Sequence, residues 1–301
     1  MRLARLVLVL SVVSATAAAQ QEFQLKVDVA LVSVDVGVYD RKGEAVTTLG
    51  QEDFLIYEDG VRQQIRAFEP SGVSFNALLV VDRSGSMRPA WDSVVGGLNR
   101  FMEVLRAQDR VAIAAFDSGI DMMADWRSAK SGRQAKIGMS PDGRGTDFYG
   151  AVAWAAGYIK GEKGRKGVIL FSDGRQSGGG GGQFFGNGGS PSGRASTDLK
   201  KATEAARKAN IPFYFVGYDT DNESAAAMKQ MAEASGGHAY FPEVAEDLIG
   251  VYEQIARDLG RSYSISYAAT RPADGKFRKI EVKPIDVRLR IAQSRDGYYA
   301  R

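Results

Sequence analysis

Asn76-Ala77-Leu78-Leu79-Val80-Val81-Asp82-Arg83-Ser84-Gly85-Ser86-Met87 is an apolar run that ends at once in a carboxylate and two hydroxyls. Ala77 through Val81 show no polar alternation, which predicts a strand buried on both faces, as in the middle of a parallel sheet. In open α/β sheets, ligands bind in the crevice beyond the carboxyl ends of the strands. Here that edge presents Asp82, Ser84 and Ser86 within one turn, and Gly85 lets the turn fold back. Three oxygen side chains at alternate positions suit a hard cation such as Mg²⁺, which takes oxygen ligands in a near-octahedral shell and keeps several waters.

Outward from this stretch, strand and helix patterns alternate. Trp91, Val94, Val95, Leu98, Phe101, Met102 and Leu105 recur at three- and four-residue steps and predict a helix with one apolar face. Arg110-Val111-Ala112-Ile113-Ala114-Ala115-Phe116 predicts a second buried strand, and Met122-Met123-Ala124-Asp125-Trp126 an edge strand. Helices are expected after Thr146, carrying Ala151, Val152, Ala155, Tyr158 and Ile159, over Leu199–Ala209, over 225–234, and around Leu248, Ile249, Tyr252, Ile255, Ala256 and Leu259. Gly167-Val168-Ile169-Leu170-Phe171, Pro212-Phe213-Tyr214-Phe215-Val216 and the short Ala239-Tyr240-Phe241 complete the strands. The fold class this predicts is α/β, a doubly wound, mostly parallel sheet with helices on both faces.

Asp82-Arg83-Ser84-Gly85-Ser86 resembles the D-x-S-x-S signature of the von Willebrand factor A domain. Gly145-Thr146-Asp147, ahead of a helix, resembles that family's threonine loop, and Phe171-Ser172-Asp173-Gly174, after a strand, its aspartate loop. The resemblance implies a metal-ion-dependent adhesion site at Asp82, Ser84, Ser86, Thr146 and Asp173, holding Mg²⁺ (or Mn²⁺ or Ca²⁺). In the family the serines and threonine touch the metal, while the aspartates often act through water. A shell with few anionic ligands leaves the cation electrophilic, so the Glu or Asp of a protein partner can complete it. Asp147 reads as a helix cap rather than a ligand.

The two ends of the chain read as β. Val32, Val34, Val36 and Val38 continue an alternation begun by Phe23, Leu25, Val27, Val29 and Leu31, but one residue out of phase, which predicts a bulge near Leu31 to Ser33. Phe54-Leu55-Ile56-Tyr57 and Val61-Arg62-Gln63-Gln64-Ile65 flank Glu58-Asp59-Gly60 as a hairpin. After Gly260, strands are expected at Tyr263-Ser264-Ile265-Ser266-Tyr267, at Ile280-Glu281-Val282 and at Val287-Arg288-Leu289-Arg290-Ile291. Neither end has enough strands to bury a sheet alone, so the two are expected to pack as one small β domain. The expected organisation is a signal peptide at 1–19, an N-terminal β segment at 20–70, a von Willebrand-type domain at 71–260 and a C-terminal β segment at 261–301. The Glu52-Asp53-Phe54 stretch with its hairpin, Ser235-Gly236-Gly237 and the closing Arg295-Asp296-Gly297-Tyr298-Tyr299-Ala300 resemble the VWFA-related type common in Acidobacteria.

Arg2 and Arg5, an apolar core from Leu6 to Val13 and small residues ending at Ala19 are the pattern of a secretory leader, with an uncleaved N-terminal anchor as the alternative, and the expected location is the periplasm or outside the cell. The apolar part is shorter than the roughly 20 residues a spanning helix needs. With no Cys in the chain, the exported fold stands on its core, without disulfides. Of the 39 Lys and Arg residues two lie in the leader, and 37 against 36 acidic residues leaves a net charge of +1. That balance argues against an electrostatic nucleic-acid binder. Residues 178–189, with a run of five glycines and Phe184-Phe185, read as an insertion, either a tolerated flexible one or an arm that touches a partner.

Two other classes compete with an adhesion module. A metal-dependent hydrolase would also use Asp and Ser near Mg²⁺. However, the chain has no G-x-S-x-G elbow and no P-loop, and its single histidine, His238, starts a late strand. A metal-free structural scaffold is the third reading. The expectation is an extracytoplasmic, non-enzymatic protein-binding module.

Overall fold

The computed structural model describes residues 31–131, 141, 145–176 and 198–300. The leader expected at 1–19, the alternation at 23–30 and the glycine-rich 178–189 lie outside these residues. The described chain opens with β1 (Leu31–Tyr39), β2 (Phe54–Glu58), β3 (Val61–Gln63) and β4 (Ile65–Glu69). The alternating middle runs β5 (Phe75–Asp82), α1 (Trp91–Val104), β6 (Arg110–Phe116), β7 (Ile120–Ser128), α2 (Phe148–Ile159), β8 (Arg165–Ser172) and α3 (Leu199–Ala209). It continues with β9 (Phe213–Gly217), α4 (Asn222–Ser235), β10 (Ala239–Tyr240) and α5 (Asp247–Arg261). β11 (Tyr263–Ala268), β12 (Phe277–Pro284), β13 (Arg290–Gln293) and β14 (Gly297–Tyr299) close it.

The middle elements build one six-stranded sheet in the order β10-β9-β8-β5-β6-β7, parallel except for the antiparallel edge strand β7. All eight residues of β5 are buried, which is why that strand carries no polar alternation. Its side chains serve two cores. Phe75, Ala77, Leu79 and Val81 pack with α1 and α5 residues such as Leu98, Phe101 and Tyr252, whereas Leu78 and Val80 pack with Val152, Ala206 and Met228 of α2, α3 and α4. Aspartates start three of the helices by accepting a backbone N–H: Asp147 from Gly150 at 3.1 Å, Asp198 from Lys201 at 2.9 Å and Asp221 from Ser224 at 2.8 Å. The fold is thus the doubly wound α/β architecture the sequence predicts.

The chain ends form two antiparallel four-stranded sheets, β13-β1-β11-β4 and β14-β12-β2-β3, so each mixes strands from both termini. Their inner faces share a third core containing Val34, Val36, Ile56, Tyr263, Ile265 and Ile280. The hairpin turn has positive φ at Asp59 (47°) and Gly60 (81°), the geometry a two-residue type I′ turn requires. Arg165, buried at the start of β8, donates from Nη1 to Leu259 O (2.8 Å) and Ser262 O (2.7 Å) and so ties the end of α5 to the central sheet.

Three local expectations need correction. The pairing of β1 with β11 runs without a shift from Leu31 to Val36, so Leu31 to Ser33 hold no bulge; the irregularity lies between Ser266 and Tyr267, where β11 meets β4. Val61-Arg62-Gln63-Gln64-Ile65 is not one hairpin arm. The chain leaves β2's sheet after Gln63 and enters the other sheet at Ile65, because Ile65 finds its apolar neighbours in the shared core. Val287 is 91% exposed in a loop and the strand there starts only at Arg290, since Asp286 binds the Arg288 side chain and backbone and holds a local turn.

Candidate functional site

Crossovers leave β5 toward β6 on one side and return to β8 on the other, so the carboxyl end of β5 is the topological switch point. Asp82 is the last residue of that strand and is fully buried. Its Oδ1 accepts the Ser84 N–H at 2.8 Å, which curls the chain directly after the strand. From Gly85 a 3₁₀ turn runs into α1, with Met87 N–H donating to Ser84 O at 3.0 Å. Gly85 is therefore in a helical turn with no positive φ, contrary to the expectation that it folds the chain back. The outcome brings the Ser84 and Ser86 hydroxyls to 3.0 Å from each other, Ser84 buried and Ser86 exposed.

The other two loops close around this turn. Ser172 ends the neighbouring strand β8, and its hydroxyl donates to Asp82 Oδ2 at 2.6 Å while accepting the Gly174 N–H at 2.9 Å. Asp173 follows, buried, and Gly174 sits at φ +77°, where a Cβ would come within 2.9 Å of Ser224 on α4. Thr146, also buried, precedes the Asp147 cap of α2. The backbone N–H of Asp147 donates to Asp117 O at 2.7 Å, and Asp117 takes the Arg83 guanidinium at 2.8 Å. On the far side Gln176 donates to Asp147 Oδ1 and accepts the Tyr149 N–H, both at 3.2 Å. A closed chain of contacts, Asp82 to Ser172, Gln176 to Asp147, Asp117 to Arg83, thus links the loops that carry all five residues singled out in the sequence.

Burial pushes the Asp82 carboxyl up to about 6; hydrogen bonds from Ser172 and Ser84 work against that rise, and the nearby charge of Asp173 adds to it. Asp173 directly follows Ser172, whose hydroxyl touches Asp82 at 2.6 Å, so the two buried carboxylates belong to adjoining strand ends. Among the described residues no group of three or more His, Cys, Asp and Glu side chains converges to hold a metal. A cation at this edge would accordingly rest on hydroxyls with two carboxylates. The donor set fits: neighbouring ligands of an octahedral ion at about 2.1 Å lie about 3.0 Å apart, the separation of the Ser84 and Ser86 oxygens.

His238 stands elsewhere. It immediately precedes β10, the edge strand of the six-stranded sheet, with its carbonyl accepting the Phe215 N–H at 2.9 Å. Asp82 and Ser84 lie at the end of β5, with β9 and β8 between that strand and β10, so the fold does not bring the single histidine to them. Ser172, Arg175, Gln176, Arg83 and Asp117 complete this network without being among the site residues the sequence singles out. Only Ser172 had a signal available, its place beside Asp173 at a strand end.

A doubly wound α/β domain with D-x-S-x-S at its switch point and a Thr and an Asp on the flanking loops is the layout expected from the resemblance to the von Willebrand factor A domain. Residues 77–176 match the family model described as von Willebrand factor type A domain, and the chain carries a domain of that family. The matched span contains Asp82, Ser84, Ser86, Thr146 and Asp173. Among solved structures, the chain is similar to a von Willebrand factor type A protein from Catenulispora acidiphila, at 12% identity and TM-score 0.52, covering 82% of this chain and 73% of that one. The vWF domain of the type V pili tip protein Mfa5 from Porphyromonas gingivalis aligns at 14% identity and TM-score 0.49 over 62% and 95% of the two chains. The ArnB paralog VWA2 from Sulfolobus acidocaldarius aligns at 12% identity and TM-score 0.46 over 89% and 76%. No curated protein matches the sequence.

Proposed function

We propose that this protein is an extracytoplasmic binding module that holds a Mg²⁺-type ion at Asp82, Ser84, Ser86, Thr146 and Asp173 and uses it to capture an acidic side chain of a protein partner. The observation that carries this reading is the pair of hydroxyls 3.0 Å apart beside the buried Asp82. Such a shell supplies geometry without cancelling the charge of the ion, and the bound ion supplies a positive coordination point for a partner's carboxylate. Asp82, fixed by Ser84 and Ser172, orients the turn, and the exposed Ser86 marks the side open to a partner. The leader-like residues 1–19 support a secreted or periplasmic place. Among the described residues no helix is long and apolar enough to cross a membrane.

The position of His238 speaks against a Ser-His-Asp hydrolase, and a purely structural role would make Asp82→Ala a stability variant and nothing more. The test is retention of proteins from the extracytoplasmic fraction on the immobilised full chain and on its Ser84→Ala variant. Retention should vanish in EDTA, return with Mg²⁺ and be missing in the variant while that variant stays folded. Retention unchanged by EDTA would assign binding to another surface.

A further inference from the structure

Asp82 and Asp173 are both buried, on adjoining strand ends, and among the described residues the cation paired with Asp173 is Arg175. Its backbone N–H donates to Asp173 Oδ1 at 3.0 Å and its Nη1 lies 3.4 Å from Oδ2. On its other side Nη2 donates to Asp219 O at 3.0 Å and to Asp219 Oδ2 at 3.2 Å, with Asp221 Oδ2 4.0 Å from Nε. The acids on that side are on the loop leading to α4, their side chains 73% and 52% exposed, against 2% for Asp173. Two other arginines of this edge are engaged elsewhere: Arg83 binds Asp117 and Asp121, and Arg88 Nε donates to Pro141 O at 2.9 Å. One guanidinium thus spans a buried carboxylate and two exposed ones.

We propose that Arg175 is the internal counter-ion of this site and sets its metal affinity, an inference that rests on Asp173 being part of a Mg²⁺ site. Without metal, Arg175 neutralises Asp173, which would otherwise be a buried charge lacking a partner. A dication at the site must share that carboxylate with the guanidinium, and the repulsion weakens its binding. Asp219 and Asp221 act in the opposite direction. They draw the guanidinium outward and shield it, so that Asp173 is released more readily. The arrangement keeps metal binding reversible, with the outer acids balancing the inner one.

Calorimetric titration of MgCl₂ into the full-length protein, with thermal melting in EDTA, tests this on the wild type and on Arg175→Gln, Arg175→Lys and Asp219→Asn. Arg175→Gln should bind Mg²⁺ about tenfold more tightly, as expected for removing one like charge near a half-exposed dication, and should melt lower in EDTA. Arg175→Lys keeps the charge and should stay near the wild-type affinity, whereas Asp219→Asn should bind more weakly. If the wild type binds Mg²⁺ and Arg175→Gln binds it equally or less tightly, the counter-ion role is wrong and the metal site stands. Tighter or unchanged binding by Asp219→Asn overturns the role as well, even where Arg175→Gln does not fold. A wild type without Mg²⁺ binding removes the site reading and this inference together.

Discussion

The Ser172 hydroxyl donates to Asp82 Oδ2 at 2.6 Å and joins the ends of two neighbouring parallel strands, β8 and β5. Asp82 accepts from Ser84 on its other oxygen, so its orientation is fixed before any ligand arrives. Ser172→Ala should cost about 1.5–3 kcal/mol of stability, the usual effect of removing a buried hydrogen bond to a charged group. The hydroxyl also opposes the rise of the Asp82 pKa, so the variant should titrate Asp82 still higher. Urea unfolding at neutral pH, with NMR titration of the carboxyl, checks both; unchanged stability and titration would show that the bond contributes nothing.

Glu58 is the acid-sensitive point of the β sheets. It is buried with Arg278 and accepts from Tyr267 Oη at 2.7 Å, Tyr298 Oη at 2.8 Å and Arg271 Nη2 at 3.0 Å. Burial alone would raise its carboxyl, but these bonds and the Arg278 charge hold it below the ordinary value of 4.5. A depressed acid stabilises the fold fully above its unfolded pKa and loses that contribution as pH falls through the folded one. Glu58→Ala should therefore cost about 3–5 kcal/mol at pH 7, because the buried Arg278 is left with only the half-exposed Asp274 and two carbonyls to answer its charge. The gap to the wild type should narrow below pH 4 in denaturant melts; a constant gap would contradict the ion-pair account.

The pairing of the termini makes a prediction about fragments. β1 is hydrogen-bonded to β11 and β13, and β2 to β12, so residues 31–70 alone lack the strands that complete both sheets. That fragment should show no cooperative thermal transition by circular dichroism. Adding residues 261–300 in trans, or fusing them, should restore one if the third core suffices to hold the sheets together. A cooperative melt from 31–70 alone would refute the shared β unit.

Much of this architecture could be read from local pattern. β5 and β6 are uninterrupted apolar runs, and α3 has the predicted bounds, Leu199–Ala209, because charge and alanine alternate at helical spacing. D-x-S-x-S with the later Thr and Asp marks the switch point because those residues follow strands or precede a helix. What could not be read depends on partners far apart in sequence. Ser172 meets Asp82 only through the β5–β8 register, and Arg175 meets Asp219 across two loops. The sheet change after Gln63 is equally non-local, since Ile65 looks like a continuation of β3 until β11 lies beside it. Val287 deceived by alternation alone: its neighbours Asp286 and Arg288 bind each other and turn the chain outward.

The most direct measurement is the heat of MgCl₂ binding to the full-length protein, compared with an Asp82→Ala, Asp173→Ala double variant that circular dichroism shows to be folded. One ion should bind the wild type, and the double variant should give no binding heat. Equal binding by the two proteins would contradict the assignment of the cation to the carboxyl end of β5.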